Sequence, residues 1–284
     1  MQNFQFFSAK SLQDALDFLS DHDGRCKIIA GGTDLIPDLR DEKIHPDHIL
    51  NILEIEQLSG ITETDATVRI GPTTTFTEMI QSEVLNRCLP LLVQAASSVG
   101  GPQIRNRGTI GGNIATNGPC ADVLPAVLAL EGSLELQSKK SFIRIVPLQE
   151  ILISPYRTAI KPDEILTAIL VKKLPPATRS GFEKLGRRNA MAKGRMNISI
   201  VLGLDKHQVI SELRIVPGSV MPVAQRIAEA EKMLIGKTPD KSLIDATADT
   251  LAEKVFKISG IRWSTEYKEP VLKNVFKRVL QELI

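Results

Sequence analysis

Two paired-glycine motifs, Ala30-Gly31-Gly32-Thr33-Asp34 and Thr109-Ile110-Gly111-Gly112-Asn113, stand about eighty residues apart and constrain this chain more than any other feature. Glycine lacks a Cβ, so paired glycines let backbone N–H groups approach an anion, and the flanking Thr, Asp and Asn add side-chain hydrogen bonds. Either pair alone is also an ordinary turn. Their surroundings favour a site. Lys27-Ile28-Ile29-Ala30 reads as a buried strand running straight into the first motif, and Gly100 to Asn113 is crowded with further glycines and two arginines. Two such cradles suit a diphosphate better than a single phosphate.

The commoner nucleotide signatures are missing. No two glycines are separated by a single residue, which rules out the G-x-G-x-x-G dinucleotide fingerprint. Gly236-Lys237-Thr238 imitates the end of a phosphate-binding loop, but Glu231 stands where its first glycine belongs.

Composition narrows the class. The chain has 284 residues, enough for two domains, and its net charge of +2 implies no general attraction to nucleic acid or anionic membrane. Cys26, Cys88 and Cys120 are too few and too widely spaced for a disulfide framework or an iron–sulfur ligand set, so a reducing cytoplasm is the expected compartment and no metal is expected here. The amino terminus has no secretory pattern, and no apolar run is long enough to span a bilayer.

Periodicity organises the rest. Ser11 caps a helix carrying Leu12, Ala15, Leu16 and Leu19 at helical spacing. Strands are predicted at Lys27 to Ala30 and Ile49 to Leu53, making residues 1–57 a small mixed unit. A second unit, 58–174, begins with a strand near Val68, continues through a helix at Leu89 to Ser98, and includes a helix at Val123 to Leu130 with Pro125 in its first turn. It closes with strands at Leu134 to Leu136, Phe142 to Val146 and Ile165 to Val171. Pro175-Pro176 marks a boundary. Residues 177–284 read as a three-stranded sheet, Ser180 to Leu185, Asn197 to Leu204 and Glu212 to Pro217. Helices follow at Val223 to Leu234, Leu243 to Phe256 and Val271 to Ile284, the last with a stripe of Val271, Leu272, Val275, Phe276, Val279 and Leu280.

In order, Ala-Gly-Gly-Thr-Asp-Leu, then Gly-Pro-Gln-Ile-Arg-Asn-Arg-Gly-Thr-Ile-Gly-Gly-Asn-Ile, then Ala121-Asp122 and Leu-Pro-Ala-Val-Leu-Ala-Leu resemble the FAD-binding (medium) subunit of molybdenum hydroxylases. That family includes xanthine, nicotinate and carbon monoxide dehydrogenases, and the similarity runs from Phe4 to the last helix. It implies an α+β fold: a two-unit FAD-binding domain of the PCMH type over 1–174, then a small domain of antiparallel sheet plus helical bundle over 177–284.

The resemblance also assigns residues. It makes Ile28, Ile29, Ala30, Gly31, Gly32, Thr33 and Asp34 contacts of the FAD diphosphate and its neighbouring hydroxyls. Lys27 is either a phosphate or adenine partner or solvated surface. Thr109, Ile110, Gly111, Gly112, Asn113 and Thr116 match the second cradle. Asp122 is a flavin hydroxyl contact, with helix capping as its other reading. Leu166 and Lys184 match positions flanking the isoalloxazine, where a Lys beside the N1 to C2=O edge would stabilise the anionic reduced ring. By residue type alone Leu166 reads as core and Lys184 as surface.

No nucleophile–base–orienter constellation is evident, and His22, His45, His48 and His207 lie outside the glycine motifs. The chemistry therefore belongs to the cofactor. The resemblance implies an oxidoreductase subunit that takes electrons from a [2Fe-2S] subunit, beside a molybdenum-cofactor subunit, and passes them to NAD⁺ or another acceptor. The alternatives are a self-sufficient FAD-dependent oxidase or dehydrogenase of the same fold, and a non-enzymatic assembly module. Arg187-Arg188 and Lys193-Gly194-Arg195 are candidate docking charges, and the stretch from Ala190 to Asn197, which holds the second of them, resembles a small insertion.

Overall fold

Ser11 fixes the start of the first helix. Its hydroxyl accepts from the Asp14 N–H, and the Asp14 carboxylate accepts from the Ser11 N–H, a reciprocal box that satisfies two helix-end donors. In the computed structural model, which describes residues 3–22, 24–140, 143–188 and 191–284, this helix is α1 (Leu12–Asp21). Its Ala15, Leu16 and Leu19 are buried. The strands β1 (Gln5–Ser8) and β2 (Cys26–Ile29) flank β3 (His48–Asn51) in parallel. Parallel neighbours need crossovers, which α1 and α2 (Leu35–Arg40) provide. The core beneath this sheet extends to Ile165 of the next unit, so the two units share packing.

The second unit begins with β4 (Ile61–Glu63) and β5 (Thr67–Ile70). Then come α3 (Phe76–Gln81), α4 (Glu83–Cys88), α5 (Pro90–Ser97), α6 (Pro102–Arg105), α7 (Ile110–Thr116) and α8 (Val123–Ala129). The chain continues through β6 (Ser133–Ser138), β7 (Arg144–Pro147), α9 (Leu148–Ile151), the hairpin β8 (Leu152–Ser154) and β9 (Arg157–Thr158), and β10 (Glu164–Lys172). Its sheet runs β4-β5-β10-β6-β7 with antiparallel neighbours throughout. The long β10 is the spine, and Phe142 of the expected strand lies outside the described residues.

The third group is β11 (Thr178–Leu185), β12 (Met196–Leu204) and β13 (Ile210–Gly218), antiparallel in that order, followed by α10 (Ala228–Leu234), α11 (Lys241–Ser259) and α12 (Thr265–Leu283). This sheet is a wall with two apolar faces. Ile198, Ile200 and Leu202 pack on the C-terminal helices, whereas Val201 and Val216 pack on the second unit. Alternation along β12 therefore aims Asn197, in phase with Val201, at the second unit. The helix expected from Val223 is shorter than its apolar pattern implies. It starts only at Ala228, because the Ile227 N–H bonds to the Ile215 carbonyl (3.1 Å) and holds the preceding chain against β13.

Candidate functional site

The first glycine motif fills the gap between β2 and α2. The Ile29 carbonyl accepts from the Ile52 N–H (3.1 Å), which ends the sheet pairing. Among the described residues, the N–H groups of Gly31, Gly32, Thr33 and Asp34 then donate to no protein acceptor. Consecutive unspent donors in a chain otherwise well paired form a ready anion cradle. Gly32 has φ +72°, a backbone region glycine enters without strain. Gly31 is needed for a different reason: a Cβ there would stand 1.9 Å from the Arg107 carbonyl oxygen and 3.0 Å from the Gly108 Cα. The first motif thus meets, backbone to backbone, the loop that leads into the second.

Burial along this segment is incomplete. Ile28, Ile29, Ala30, Gly31, Gly32 and Thr33 are all half-buried, while Lys27 and Asp34 are exposed. Lys27 therefore stays at the surface, with no ion pair among the described residues. Desolvation and the nearby Asp38 charge hold the Asp34 carboxyl above the usual carboxylate range, opposed by Lys193. On the hairpin between β11 and β12, Met191 reaches over Gly101, whose added Cβ would lie 3.3 Å from the Met191 side chain. Ala190 lies outside the described residues.

The second motif is not a cradle of free amides, contrary to the sequence expectation. It is the start of helix α7. The Thr109 hydroxyl caps it by accepting from the Gly112 N–H (3.1 Å), Ile110 N–H donates to the Thr74 carbonyl (3.0 Å), Gly111 N–H to the Pro72 carbonyl (2.9 Å) and Asn113 N–H to the Thr109 carbonyl (3.0 Å). Gly111 is required because a Cβ would lie 2.5 Å from Pro72. Thr109, Ile110 and Gly111 are buried in this role, whereas Gly112, Asn113 and Thr116 are half-buried. What the motif offers a ligand is Asn113: its Oδ1 is buried without a hydrogen-bond partner. A buried acceptor without a partner is costly, which leaves this atom open to a donor from outside the chain.

Asp122 and Lys184 form a pair. Lys184 Nζ donates to Asp122 Oδ2 (2.6 Å) and to the Ser98 carbonyl (2.8 Å), and Asn197 Nδ2 donates to Asp122 Oδ1 (3.1 Å). Both sequence readings by residue type need correction. Asp122 precedes α8 without capping it, since its carboxylate is occupied here, and Lys184 is no surface residue, its side chain being 11% exposed. Burial pushes the Asp122 carboxyl up, opposed by Lys184 and Asn197. Gly194 closes the cluster: a Cβ there would lie 3.3 Å from Asp122 Oδ1 and 3.5 Å from Lys184 Cε. The sequence reading missed Ser98, Gly194 and Asn197. Only Asn197 carried a signal, as a polar residue opening an apolar strand. Leu166 lies in β10 opposite Leu136, packed in the second unit's core. Among the described residues, no three His, Cys, Asp or Glu side chains gather to hold a metal ion.

Comparison with known proteins shows the family to which the chain belongs. Residues 2–173 match the FAD binding domain in molybdopterin dehydrogenase, and residues 181–283 match the CO dehydrogenase flavoprotein C-terminal domain. The chain belongs to the FAD-binding subunits of this family. It is 30% identical to the nicotinate dehydrogenase FAD-subunit of Eubacterium barkeri, over 100% of this chain and 97% of that one. It is 32% identical to the xanthine dehydrogenase FAD-binding subunit of Escherichia coli O157:H7, over 98% and 95%. The solved carbon monoxide dehydrogenase of Hydrogenophaga pseudoflava superposes with a TM-score of 0.92 at 30% identity, covering 99% of this chain and 96% of its counterpart. Among the described residues no helix is long and apolar enough to cross a membrane. The residues present fit FAD: unspent amides from Gly31 to Asp34 suit a diphosphate, and the orphaned Asn113 Oδ1 suits a ribityl or ribose hydroxyl.

Proposed function

We propose that this FAD-binding subunit is the flavin relay of a molybdenum hydroxylase complex, taking electrons from a [2Fe-2S] subunit and passing them to NAD⁺ or another acceptor. In this reading residues 1–174 hold the FAD, in units 1–57 and 58–174, and residues 177–284 close one side of the site. The observation that carries it is the row of unspent amides from Gly31 to Asp34, held against the loop before the second motif by the Gly31–Arg107 approach. Bound FAD supplies the ability to collect electrons singly and release them as a pair.

The chain's own groups bind and bias. The amides of Gly31 to Asp34 take the diphosphate, Asn113 Oδ1 accepts a hydroxyl, and Thr33 and Thr116 offer hydroxyls beside it. An ammonium has three donors, and Lys184 spends two of them on Asp122 and Ser98. One N–H is left for negative charge on the flavin ring, and Asp122 fixes its direction. Three cysteines without disulfides suit a reducing, cytoplasmic setting.

The test is anaerobic reduction of the purified complex by its hydroxylation substrate, followed by addition of NAD⁺, NADP⁺, a quinone or ferredoxin. Flavin reoxidation coupled to NADH formation is the expected result. Flavin that stays oxidised while the clusters are reduced would overturn the relay, and reoxidation by quinone or ferredoxin alone would overturn the nicotinamide exit.

A further inference from the structure

Ser219, the residue after β13, has φ +62°, a left-handed conformation that glycine enters freely and serine does not. Its hydroxyl oxygen is buried and has no hydrogen-bond partner among the described residues. Strain and an unspent hydroxyl are two costs that a glycine at 219 would remove together, and residues held in this way cluster at functional sites. A second orphan lies next to it in the sheet. Asn197 Oδ1 is likewise buried without a partner, 2.1 Å from the point where Gly218 would carry a Cβ.

The Ser219 hydroxyl stands beside the Asp122–Lys184 pair. The Cβ that Gly194 lacks would lie 3.1 Å from Ser219 Oγ, 3.3 Å from Asp122 Oδ1 and 3.5 Å from Lys184 Cε, so the three groups surround one corner that glycine keeps open. One water bridging Ser219 Oγ and Asp122 Oδ1 there gives the hydroxyl the partner it lacks. On its outer side Ser219 is joined to Lys268, a half-buried residue of the first turn of α12, whose Nζ donates to the Ser219 carbonyl (3.2 Å). Burial depresses Lys268 below the usual lysine range, and the like charges of Arg262 and Arg195 add to the effect while Cys120 opposes it, so its proton is held loosely. Lys268, Ser219, Asp122 and Lys184 thus follow one another from the surface inward.

We propose that Lys268 and Ser219 form, with Asp122 and Lys184, the inlet that brings protons from solvent to the flavin. The proposal rests on the relay reading, and proton accounting supplies the need. Two electrons arriving from [2Fe-2S] centres bring no proton, whereas a hydride leaving to NAD⁺ carries two electrons and one proton, so one proton must enter per turnover. Lys184 Nζ gives a proton to the ring and becomes a neutral amine. Asp122 takes a proton at Oδ1 from the bridging water, and a half-turn of its carboxyl group delivers that proton to Nζ. The water is refilled by the Ser219 hydroxyl, the hydroxyl by Lys268, and Lys268 by solvent. Every group ends as it began, and one proton has moved inward.

The test mixes the FAD-loaded full chain rapidly with reduced methyl viologen, an electron donor that carries no proton, in weak buffer containing the fluorescent indicator pyranine. Wild-type proton uptake should keep pace with flavin bleaching. Ser219→Gly and Ser219→Ala remove the hydroxyl, and Gly194→Ala sets a methyl between Ser219 Oγ and Asp122 Oδ1. Each should slow uptake at least about tenfold, the low end of what a positioned proton donor contributes, with FAD content unchanged and imidazole restoring the rate. Ser219→Gly should also melt no lower than wild type, because glycine suits φ +62°. Wild-type uptake should fall as pH rises through the Lys268 value, and Lys268→Met should abolish that fall. A wild-type rate in either Ser219 variant or in Gly194→Ala overturns the proposal, as does slow uptake that imidazole does not restore or an unchanged pH profile in Lys268→Met. Prompt uptake in a chain whose flavin the iron–sulfur clusters of the assembled complex fail to reduce would overturn the relay reading and leave the inlet standing.

Discussion

Replacing Gly31 by alanine should separate the two glycine motifs and loosen FAD. The new methyl would start 1.9 Å from the Arg107 carbonyl oxygen, and real Cβ contacts essentially never fall under 3.0 Å, so more than an ångström of backbone movement is required. No flexible side chain can absorb it, because the nearest atoms are the Arg107 carbonyl and the Gly108 Cα. Overpacking of this kind costs about 1–3 kcal/mol. For a chain of this size that corresponds to a fall in thermal midpoint of roughly 2–12 °C. The displaced segment carries the free amides at one end and Asn113 beyond the other, so a loss of one to two tenfold steps in FAD affinity is expected, each about 1.4 kcal/mol. Gly24→Ala is the matched control. Gly24 has φ +72° with nothing within 4 Å of an added Cβ, so it should cost about 1 kcal/mol without touching flavin binding. Differential scanning fluorimetry and flavin-fluorescence quenching read the two quantities. A Gly31→Ala chain with the wild-type midpoint and an FAD dissociation constant within threefold of wild type would refute the reasoning.

Asn113→Ala should leave stability within about 1 kcal/mol of wild type, since Oδ1 has no partner to lose, yet weaken FAD by roughly two- to twelvefold, the worth of one hydrogen bond; equilibrium dialysis against FAD checks it. Lys184→Met and Asp122→Asn should differ sharply. The first leaves a buried carboxylate unpaired and should cost about 3 kcal/mol, whereas the second also removes a desolvated charge and should stay within about 1 kcal/mol at neutral pH, as urea melts would show. Asp122 is held above 3.8 in the folded chain, so its contribution is fully present below 3.8 and is lost as pH rises through the folded value. Stability curves of wild type and Asp122→Asn should therefore diverge in the wild type's disfavour over that window, and parallel curves would contradict the assignment.

What sequence could reveal here was set by the range of the interactions. The Ser11–Asp14 box, the stripe along α12 and the strand leading into Gly31 are local patterns, and each is found where periodicity and capping chemistry put it. The six-residue helices α3 and α4 were missed because they are too short for a periodic signal, although Thr75 and Glu78 spell a capping box. That the Ile110 and Gly111 amides of the second motif are spent is invisible in a local pattern, because their acceptors, Thr74 and Pro72, arrive from more than thirty residues upstream. Capping was the local reading of Asp122 beside the flavin contact implied by the resemblance, and neither points to its partners Lys184 and Asn197, which lie 62 and 75 residues away and reach it only once β11 and β12 stand against α8. Neither partner was detectable as such before that packing was known.

The central claim, that the free amides of the first motif hold a diphosphate, is tested most directly by calorimetric titration of the flavin-stripped chain with FAD, FMN and riboflavin. The account predicts one FAD per chain, with FMN and riboflavin each at least about a hundredfold weaker, a difference of about 2.7 kcal/mol. Equal affinity for all three would contradict it.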